Sequence, residues 1–387
     1  MDIIFFMKTT IDILIIGAGA SGLFLASLLT TKSFILLDHN EKIGRKIRVS
    51  GGGRCNVTNA SVEPKNYVGD FSSRFVQHVL RRFNQEDLLA WLASAGLVPV
   101  VRKGSQYFCP NSANELLAVF KQKIPLHHIH LKSKVKAVRA LTEGFEVETT
   151  QGVYLGKKLV VATGGLSFPS LGASSIGYDI AKFFGHRIVS TKPALVGLTL
   201  QPNQFFFKRL AGISTEVKIH VGEKEIKGDL LFAHKGISGP AVLNASLYWE
   251  RGNIVIDFLP NVNLDQLHRS KKKISNLLAL PSRLAKALLD HLEVEDQPAV
   301  QLSSSAWEKL ATLHTYTFAP AGSFGYSKAE VTKGGIATEE IDAGSMMSKK
   351  QKGLYFLGEV VDVTGELGGY NFQWAFSSAF VCAKEIE

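Results

Sequence analysis

Gly17-Ala18-Gly19-Ala20-Ser21-Gly22 forms a complete GxGxxG motif, preceded by the apolar run from Asp12 to Ile16. Leu23, Ala26 and Leu28 continue from it at helical spacing. In binding a dinucleotide the three glycines have separate tasks. Gly17 turns the chain from strand to helix, Gly19 lets a pyrophosphate reach the backbone, and Gly22 lets the helix pack closely on the sheet. The helix start then offers free N–H groups to the phosphates. A second apolar run, Phe34 to Leu37, ends at Asp38. A carboxylate in that position accepts from adenosine ribose hydroxyls and repels a 2′-phosphate. Gly44, Arg45 and Lys46 follow, then Ser50, Gly51, Gly52, Gly53, Arg54, Cys55 and Asn56 in one stretch. Consecutive glycines suit a backbone lying against a flat or anionic ligand, because a Cβ would hold it off. Arg45 and Lys46 are the cations for phosphate, and Arg54 for a carbonyl or phosphate.

These groups need elements to hold them. The order of strand, glycine loop, helix, strand and acid predicts an α/β dinucleotide-binding unit whose strands are buried on both faces. Alternation from Val135 through Val147 and from Tyr154 to Val161, broken at Gly144 and Gly152, predicts an antiparallel meander leading into a buried strand. That strand ends at Thr163, Gly164 and Gly165, at an edge where such sheets bind ligands. Farther on, Leu354 to Leu357 predicts a strand reaching Gly358 and Glu359. Gly365, Gly368 and Gly369 then precede a helix from about Phe372 to Ala383. Between these segments, Leu195–Leu200, Glu216–Val221 and Asn253–Phe258 predict short strands, and Leu264 to His291 a helical part. The chain is thus expected to divide at 1–192, 193–329 and 330–387. The middle part would be an insertion whose interface with the nucleotide-binding part forms the substrate cleft. The helical face carrying Arg269, Lys271, Lys272 and Lys273 reads first as solvated and second as an RNA contact.

With 387 residues, 45% hydrophobic and 20% charged, the composition excludes a disordered chain and provides for more than one domain. No run approaches the roughly 20 apolar residues that cross a bilayer. Ile3 to Phe6 is too short for a secretory h-region and has no basic cluster before it, with either Met1 or Met7 as the start, and the three unpaired cysteines make a reducing cytoplasm the expected compartment. Cys55, Cys109 and Cys382 form no CxxC pair, which argues against a disulfide framework or zinc site. No metal cluster is expected. The net charge of +10 is uneven: residues 1–60 hold 7 basic and 4 acidic groups, residues 61–140 hold 12 and 5. The first 140 residues carry the whole surplus, which points to a phosphate-bearing cofactor, RNA or a lipid surface. A membrane partner is not expected.

The GAGASG segment, the Gly44-Arg45-Lys46 triplet and the Ser50–Asn59 stretch resemble the YhiN/BaiN-type family of NAD(P)/FAD-dependent flavoprotein oxidoreductases. Further matches follow in the family's order: Leu159 to Gly172, Gly177 to His186, Phe232 to Pro240, Thr332 to Ile336 and Gly353 to Gln373. The resemblance runs from Asp12 to about Ala383. It implies an α/β, two-dinucleotide-binding-domain Rossmann-like FAD fold with an inserted β-rich plus helical domain. It assigns FAD binding to Gly17, Gly19, Ala20, Ser21 and Gly22, and to Asp38 with His39. The next segment contributes Arg45, Lys46, Ser50, Gly51, Gly52, Gly53, Arg54 and Asn56. Val135, Thr163, Gly164 and Gly165 join them, as do Gly358, Glu359, Gly369, Tyr370 and Asn371. In this family Glu359 would hold a ribityl hydroxyl. The terminal helix would face the flavin pyrimidine edge, where its dipole stabilises negative charge.

No second GxGxxG is present, so NAD(P)H as electron donor is expected to visit the flavin transiently. A flavin performs hydride chemistry itself, and the protein supplies orientation and an acid or base. His234, with Lys235 beside it, Tyr370 and Cys55 are the catalytic candidates, and Asn371 and Gln373 stand at the start of the terminal helix. The leading expectation is reduction of an activated C=C bond. Within the family, dihydrouridine formation in 23S ribosomal RNA suits the basic stretch 61–140, with the target base in a loop or flipped out. The alternatives are a small-molecule flavoenzyme (amine oxidase or steroid dienone reductase) and an FAD-binding scaffold or redox sensor without significant turnover.

Overall fold

The computed structural model describes residues 10–102 and 104–387. The stretch around Met1 and Met7 lies outside them. Two compact units emerge: one runs to Lys192 and resumes at Val331–Glu387, and the other is Pro193–Glu330.

The first unit begins with β1 (Ile11–Ile16), α1 (Ala20–Leu28) and β2 (Phe34–Leu37). Ile13 to Ile16 are buried, as an unbroken apolar strand enclosed between layers requires. β1 and β2 run parallel, with Ile13 opposite Phe34 and Ile16 opposite Leu37. After α2 (Arg45–Gly53) come β3 (Asn56–Asn59), α3 (Ser73–Arg82), α4 (Gln85–Ser94), β4 (Val100–Arg102), β5 (Gln106–Phe108) and α5 (Asn114–Lys123). Side chains set the helix starts: the Ser72 hydroxyl accepts from the Phe75 N–H, and Asn84 with Asp87 closes a capping box. β3, β5 and β4 form a small antiparallel sheet.

β6 (Val135–Leu141), β7 (Gly144–Thr149) and β8 (Gly152–Val161) are the meander that alternation predicts. β8 serves two roles. Its first half pairs antiparallel with β7, and its second half runs parallel to β1, with Val161 opposite Ile16. α6 (Ile176–Phe183) follows.

The second unit is built on a seven-stranded sheet that includes β9 (Ser214–Val221), β10 (Lys224–Ala233) and β11 (Gly236–Ser238), with antiparallel pairing throughout. α7 (Pro240–Tyr248) buries Ala241, Val242 and Ala245 against its own unit's core. β12 (Ile254–Asp257) precedes α8 (Ser282–Leu292), α9 (Ser304–Ala311) and β13 (Tyr316–Phe318). Here two sequence expectations fail. Of Leu195–Leu200, only Leu198–Thr199 is strand. Leu264 to His291 is not one helical run: short 3-10 turns at Leu264–Gln266 and Ile274–Asn276 precede α8. Pro281 stops a helix from passing through, since it donates no N–H and pushes the residue before it out of helical geometry. Residues 270–274 instead run alongside 297–300. The Ala299 N–H donates to the Lys272 carbonyl, and the Val300 N–H to the Ser270 carbonyl, both at 3.0 Å. Ile274 becomes fully buried in this arrangement.

On return to the first unit, β14 (Leu354–Phe356) adds in parallel to the second half of β8. α10 (Tyr370–Ile386) is the longest helix among the described residues and packs against α1 and α3, buried over most of its middle and half-buried at its start. No helix of the described residues is long and apolar enough to cross a membrane.

Candidate functional site

Four parallel strands, β1, β2, β8 and β14, end at one edge of the sheet, and each runs directly into a segment singled out by sequence. Backbone hydrogen bonds hold these exits together. The Gly17 N–H donates to the Leu37 carbonyl (2.8 Å), Ala162 to Ile16 (2.8 Å) and Leu357 to Val161 (3.0 Å).

The first glycine loop has two closed positions and one open one. A Cβ on Gly17 would lie 2.4 Å from the Ala162 carbonyl oxygen, and one on Gly22 would lie 1.9 Å from the Gly17 oxygen. At Gly19 nothing lies within 4 Å. That open cradle stands at the start of α1, where Ala20 and Ser21 begin the helix and its first turn holds no acid. Free N–H groups at such an end, facing empty space, fit a pyrophosphate.

Behind the loop, Asp38 works as a brace. One carboxylate oxygen accepts from the Ala18 N–H and the other from the Asn40 N–H, both at 2.7 Å. His39 places Nδ1 3.9 Å from the same carboxylate. Arg45 donates to the Asn40 amide oxygen (2.8 Å) and to the Ser170 carbonyl (3.1 Å), tying the β8 exit to the β2 exit. The Ser133 N–H donates to the Asp38 carbonyl at 2.8 Å, two residues before Val135 opens β6.

At the β14 exit, Glu359 receives the Lys46 ammonium at 2.7 Å and the Thr332 N–H at 2.8 Å. Buried Thr332 also turns its hydroxyl oxygen to the Leu166 and Ser167 N–H groups, at 2.8 and 3.1 Å. A Cβ on Gly165 would lie 2.7 Å from the Glu359 carboxylate, so this close approach requires glycine. Thr163 stands two residues past the end of β8, and Gly164 beside it faces open space. Gly358 packs against Ser21.

The Ser50–Cys55 stretch is part helix and part turn. α2 is helical through Val49, leaves the helix at Ser50, and passes through left-handed Gly51 and Gly52. Gly51, Gly52, Arg54, Arg102 and Phe108 line a cleft of about 300 Å³. The Gly53 carbonyl accepts from the Ala113 N–H. Asn56 accepts from the Gly369 N–H (3.2 Å) and donates to the Thr58 and Tyr107 carbonyls (3.0 and 3.1 Å), so β3 supports the start of α10.

Tyr370 opens α10, and its carbonyl accepts from the Tyr67 hydroxyl at 3.0 Å. Burial pushes the Tyr370 phenol up from its ordinary pKa, with the Glu366 and Glu63 carboxylates acting in the same direction. Asn371 holds the Gly365 N–H and carbonyl through both ends of its amide, each at 2.8 Å. Gln373 faces no open space: Thr58, Phe83 and Ser377 occupy its amide. Cys55 is fully buried in a left-handed conformation beside Cys109, and burial holds its thiol well above its usual range. His234 belongs to the second unit, where it stands exposed with Lys235 at the tip of the β10–β11 turn. Sequence reasoning gave no role to Thr332, Asn40, Arg102 or Phe108. Of these, Thr332 alone had a signal, its place in the Thr332–Ile336 motif. No group of three His, Cys, Asp or Glu able to hold a metal occurs among the described residues.

Residues 11–385 match the family described as HI0933-like protein Rossmann domain. A ribosomal RNA dihydrouridine synthase of Haemophilus influenzae is 38% identical, over 96% of this chain and 98% of that protein. A protein of the same description from Escherichia coli is 39% identical, over 97% and 98%. A 3-dehydro-bile acid delta(4,6)-reductase of Clostridium scindens is 28% identical, over 96% and 97%. The four strand exits, the glycine loop and the match over nearly all of its length place this chain in the HI0933-like family of Rossmann-domain proteins.

Proposed function

We propose that the chain is an FAD-dependent oxidoreductase that reduces a uridine in ribosomal RNA to dihydrouridine, with NAD(P)H as electron donor. The observation that carries the cofactor is the open cradle at Gly19, set at the N-terminus of α1 between two positions where a Cβ cannot fit. The residues present fit FAD. The α1 amides would take its phosphates, and the Asp38–His39 turn with Val135 its adenosine side. Gly164, Gly165 and Glu359 would hold the ribityl chain. Gly51 to Arg54 and Gly369 to Asn371 would hold the ring system. When bound, FAD supplies hydride to one carbon of an activated C=C bond.

The chain's own part is to orient the base, exclude water and deliver a proton to the other carbon. The balance is uridine, NAD(P)H and a proton giving dihydrouridine and NAD(P)⁺. Of the catalytic candidates, Cys55 and Tyr370 carry a proton at neutral pH as thiol and phenol, and burial disfavours their charged forms further. Cys55 is sealed from solvent and substrate, whereas Tyr370 is half-buried. Tyr370 is therefore the proton donor in this reading. The start of α10 holds no acidic residue in its first turn, so its dipole adds positive potential there. The choice of RNA rests on the full-length relatives described as ribosomal RNA dihydrouridine synthases. A target base must leave its stack to be reduced, and such a substrate places the protein in the cytoplasm.

The test is deletion of the gene from its host and mass spectrometry of 23S ribosomal RNA. The proposal expects one dihydrouridine to disappear and to return with a plasmid copy. An unchanged dihydrouridine content overturns it.

A further inference from the structure

We infer that the second unit carries a docking surface for single-stranded RNA, built on the His268–Trp307 ring stack and the lysine run Lys271–Lys273. His268 lies flat on Trp307, with ring centroids 4.0 Å apart and planes 11° from parallel. Trp307 packs inward on the unit's core, and His268 is exposed. Its outer face is free to take a third flat ring. With Val300, Leu302, Ser304 and Glu308, the pair lines a cleft of about 420 Å³. That volume falls at the lower end of the ~300–1,000 Å³ of small-ligand sites, the scale of a nucleobase rather than a folded domain. Ser304 and Glu308 offer polar atoms for a base edge, the Glu308 carboxylate accepting from ring or amino N–H groups.

The charge beside the cleft matches a phosphate chain. Residues 270–274 run alongside 297–300, so Lys271, Lys272 and Lys273 lie on the segment next to Val300. With Arg269 they are exposed, and none of the four is ion-paired among the described residues. Much of the basic stretch 61–140 is already engaged. Lys65, Lys132 and Arg139 are ion-paired, and Lys123 lies over Trp91. Arg81, Arg82 and Lys121 stand in the last turns of α3 and α5, where they complement the helix dipole. A stacking platform beside unengaged cations is the pattern by which proteins hold single strands: bases stack on rings and phosphates follow the cations. An acidic peptide would use the lysines but leave the ring stack without a purpose.

The choice of RNA over DNA rests on the function proposed above, and the experiment separates the two claims. Full-length, FAD-loaded protein is titrated by fluorescence anisotropy into a labelled single-stranded oligoribonucleotide of mixed sequence, about a dozen nucleotides long, at several salt concentrations. Lys271→Ala/Lys272→Ala/Lys273→Ala is expected to weaken binding at least tenfold. It should also lower the slope of log affinity against log salt by about 2, as losing three phosphate contacts to a single strand predicts. His268→Ala is expected to weaken binding about fivefold with the slope unchanged, because stacking carries no counterion. Arg74→Ala/Lys134→Ala/Lys136→Ala, on the first unit, is expected to bind as wild type does. Absence of RNA binding by the wild type, wild-type affinity in the 271–273 variant, or an equal loss in the first-unit variant overturns the inference. If ribosomal RNA is never reduced yet the 271–273 variant loses binding, the surface stands and the activity falls. If the wild type reduces ribosomal RNA and the 271–273 variant does so equally well at subsaturating RNA, the activity stands and the surface falls.

Discussion

Lys46 and Glu359 meet at 2.7 Å although 313 residues separate them, so α2 is locked to the last strand exit. The Glu359 side chain is 18% exposed, and a carboxylate that enclosed is costly without its cation. Lys46→Met should weaken FAD binding about fivefold, the ~1 kcal/mol scale of a part-exposed pair. Glu359→Gln should do the same. The double variant should lose less than the two combined, because one interaction is removed twice. Titration of apoprotein with FAD, followed by flavin fluorescence, checks all three.

Gly19 and Gly22 separate cofactor binding from folding. Gly19→Ala adds a methyl to open space, so the protein should melt as wild type does yet bind FAD at least tenfold more weakly, and Gly19→Glu should purify colourless. Gly22→Ala drives its Cβ to 1.9 Å from a backbone oxygen and should cost at least ~2 kcal/mol of stability. Thermal melts of FAD-free protein and flavin content of purified protein give the two readouts.

The elements that could be read in advance were those with continuous local signals. β1, α1 and β2 followed from an apolar run, a glycine loop and helical spacing, and the β6–β8 meander from alternation broken at glycines. Residues 264–291 misled because their apolar spacing is helical, while Pro281 and pairing with 297–300 override it. The Lys46–Glu359 pair and the Arg102 side of the cleft leave no local trace, and the Thr332–Ile336 motif does not reveal which groups Thr332 bridges, since each joins segments distant in sequence. Asp38 was legible as a position, but the sequence does not show that both its oxygens brace the glycine loop and the turn behind it.

Asp12 gives a pH test of the sheet's edge. Lys157 at 2.8 Å and the Ser33 hydroxyl and N–H hold its pKa down at about 2. A carboxyl depressed in the fold stabilises it above the unfolded pKa, and that contribution is lost as pH falls from about 4 through about 2. Asp12→Asn should therefore lower stability by up to about 1 kcal/mol at pH 7, as expected for a largely exposed pair. The difference should shrink as pH falls from about 4 and fade below about 2. Denaturant melts across this range check it.

Tyr370 and Cys55 should behave in opposite ways. Tyr370→Phe should lower kcat about a hundredfold, the scale of a lost general acid, with FAD content intact. The wild type should lose activity as pH rises through the raised phenol pKa, and the variant should lack that alkaline limb. Cys55→Ala should leave kcat within about twofold while costing about 1 kcal/mol of stability from a small buried void. Steady-state pH profiles of both variants make the comparison.

The central claim is tested most directly by single turnover without oxygen. Protein with its FAD chemically reduced is mixed with 23S ribosomal RNA isolated from the deletion strain, and flavin absorbance and dihydrouridine are followed together. The account predicts that the oxidised flavin spectrum returns with one dihydrouridine formed per flavin. Flavin that stays reduced with this RNA, yet is promptly reoxidised by a steroid dienone, would contradict it.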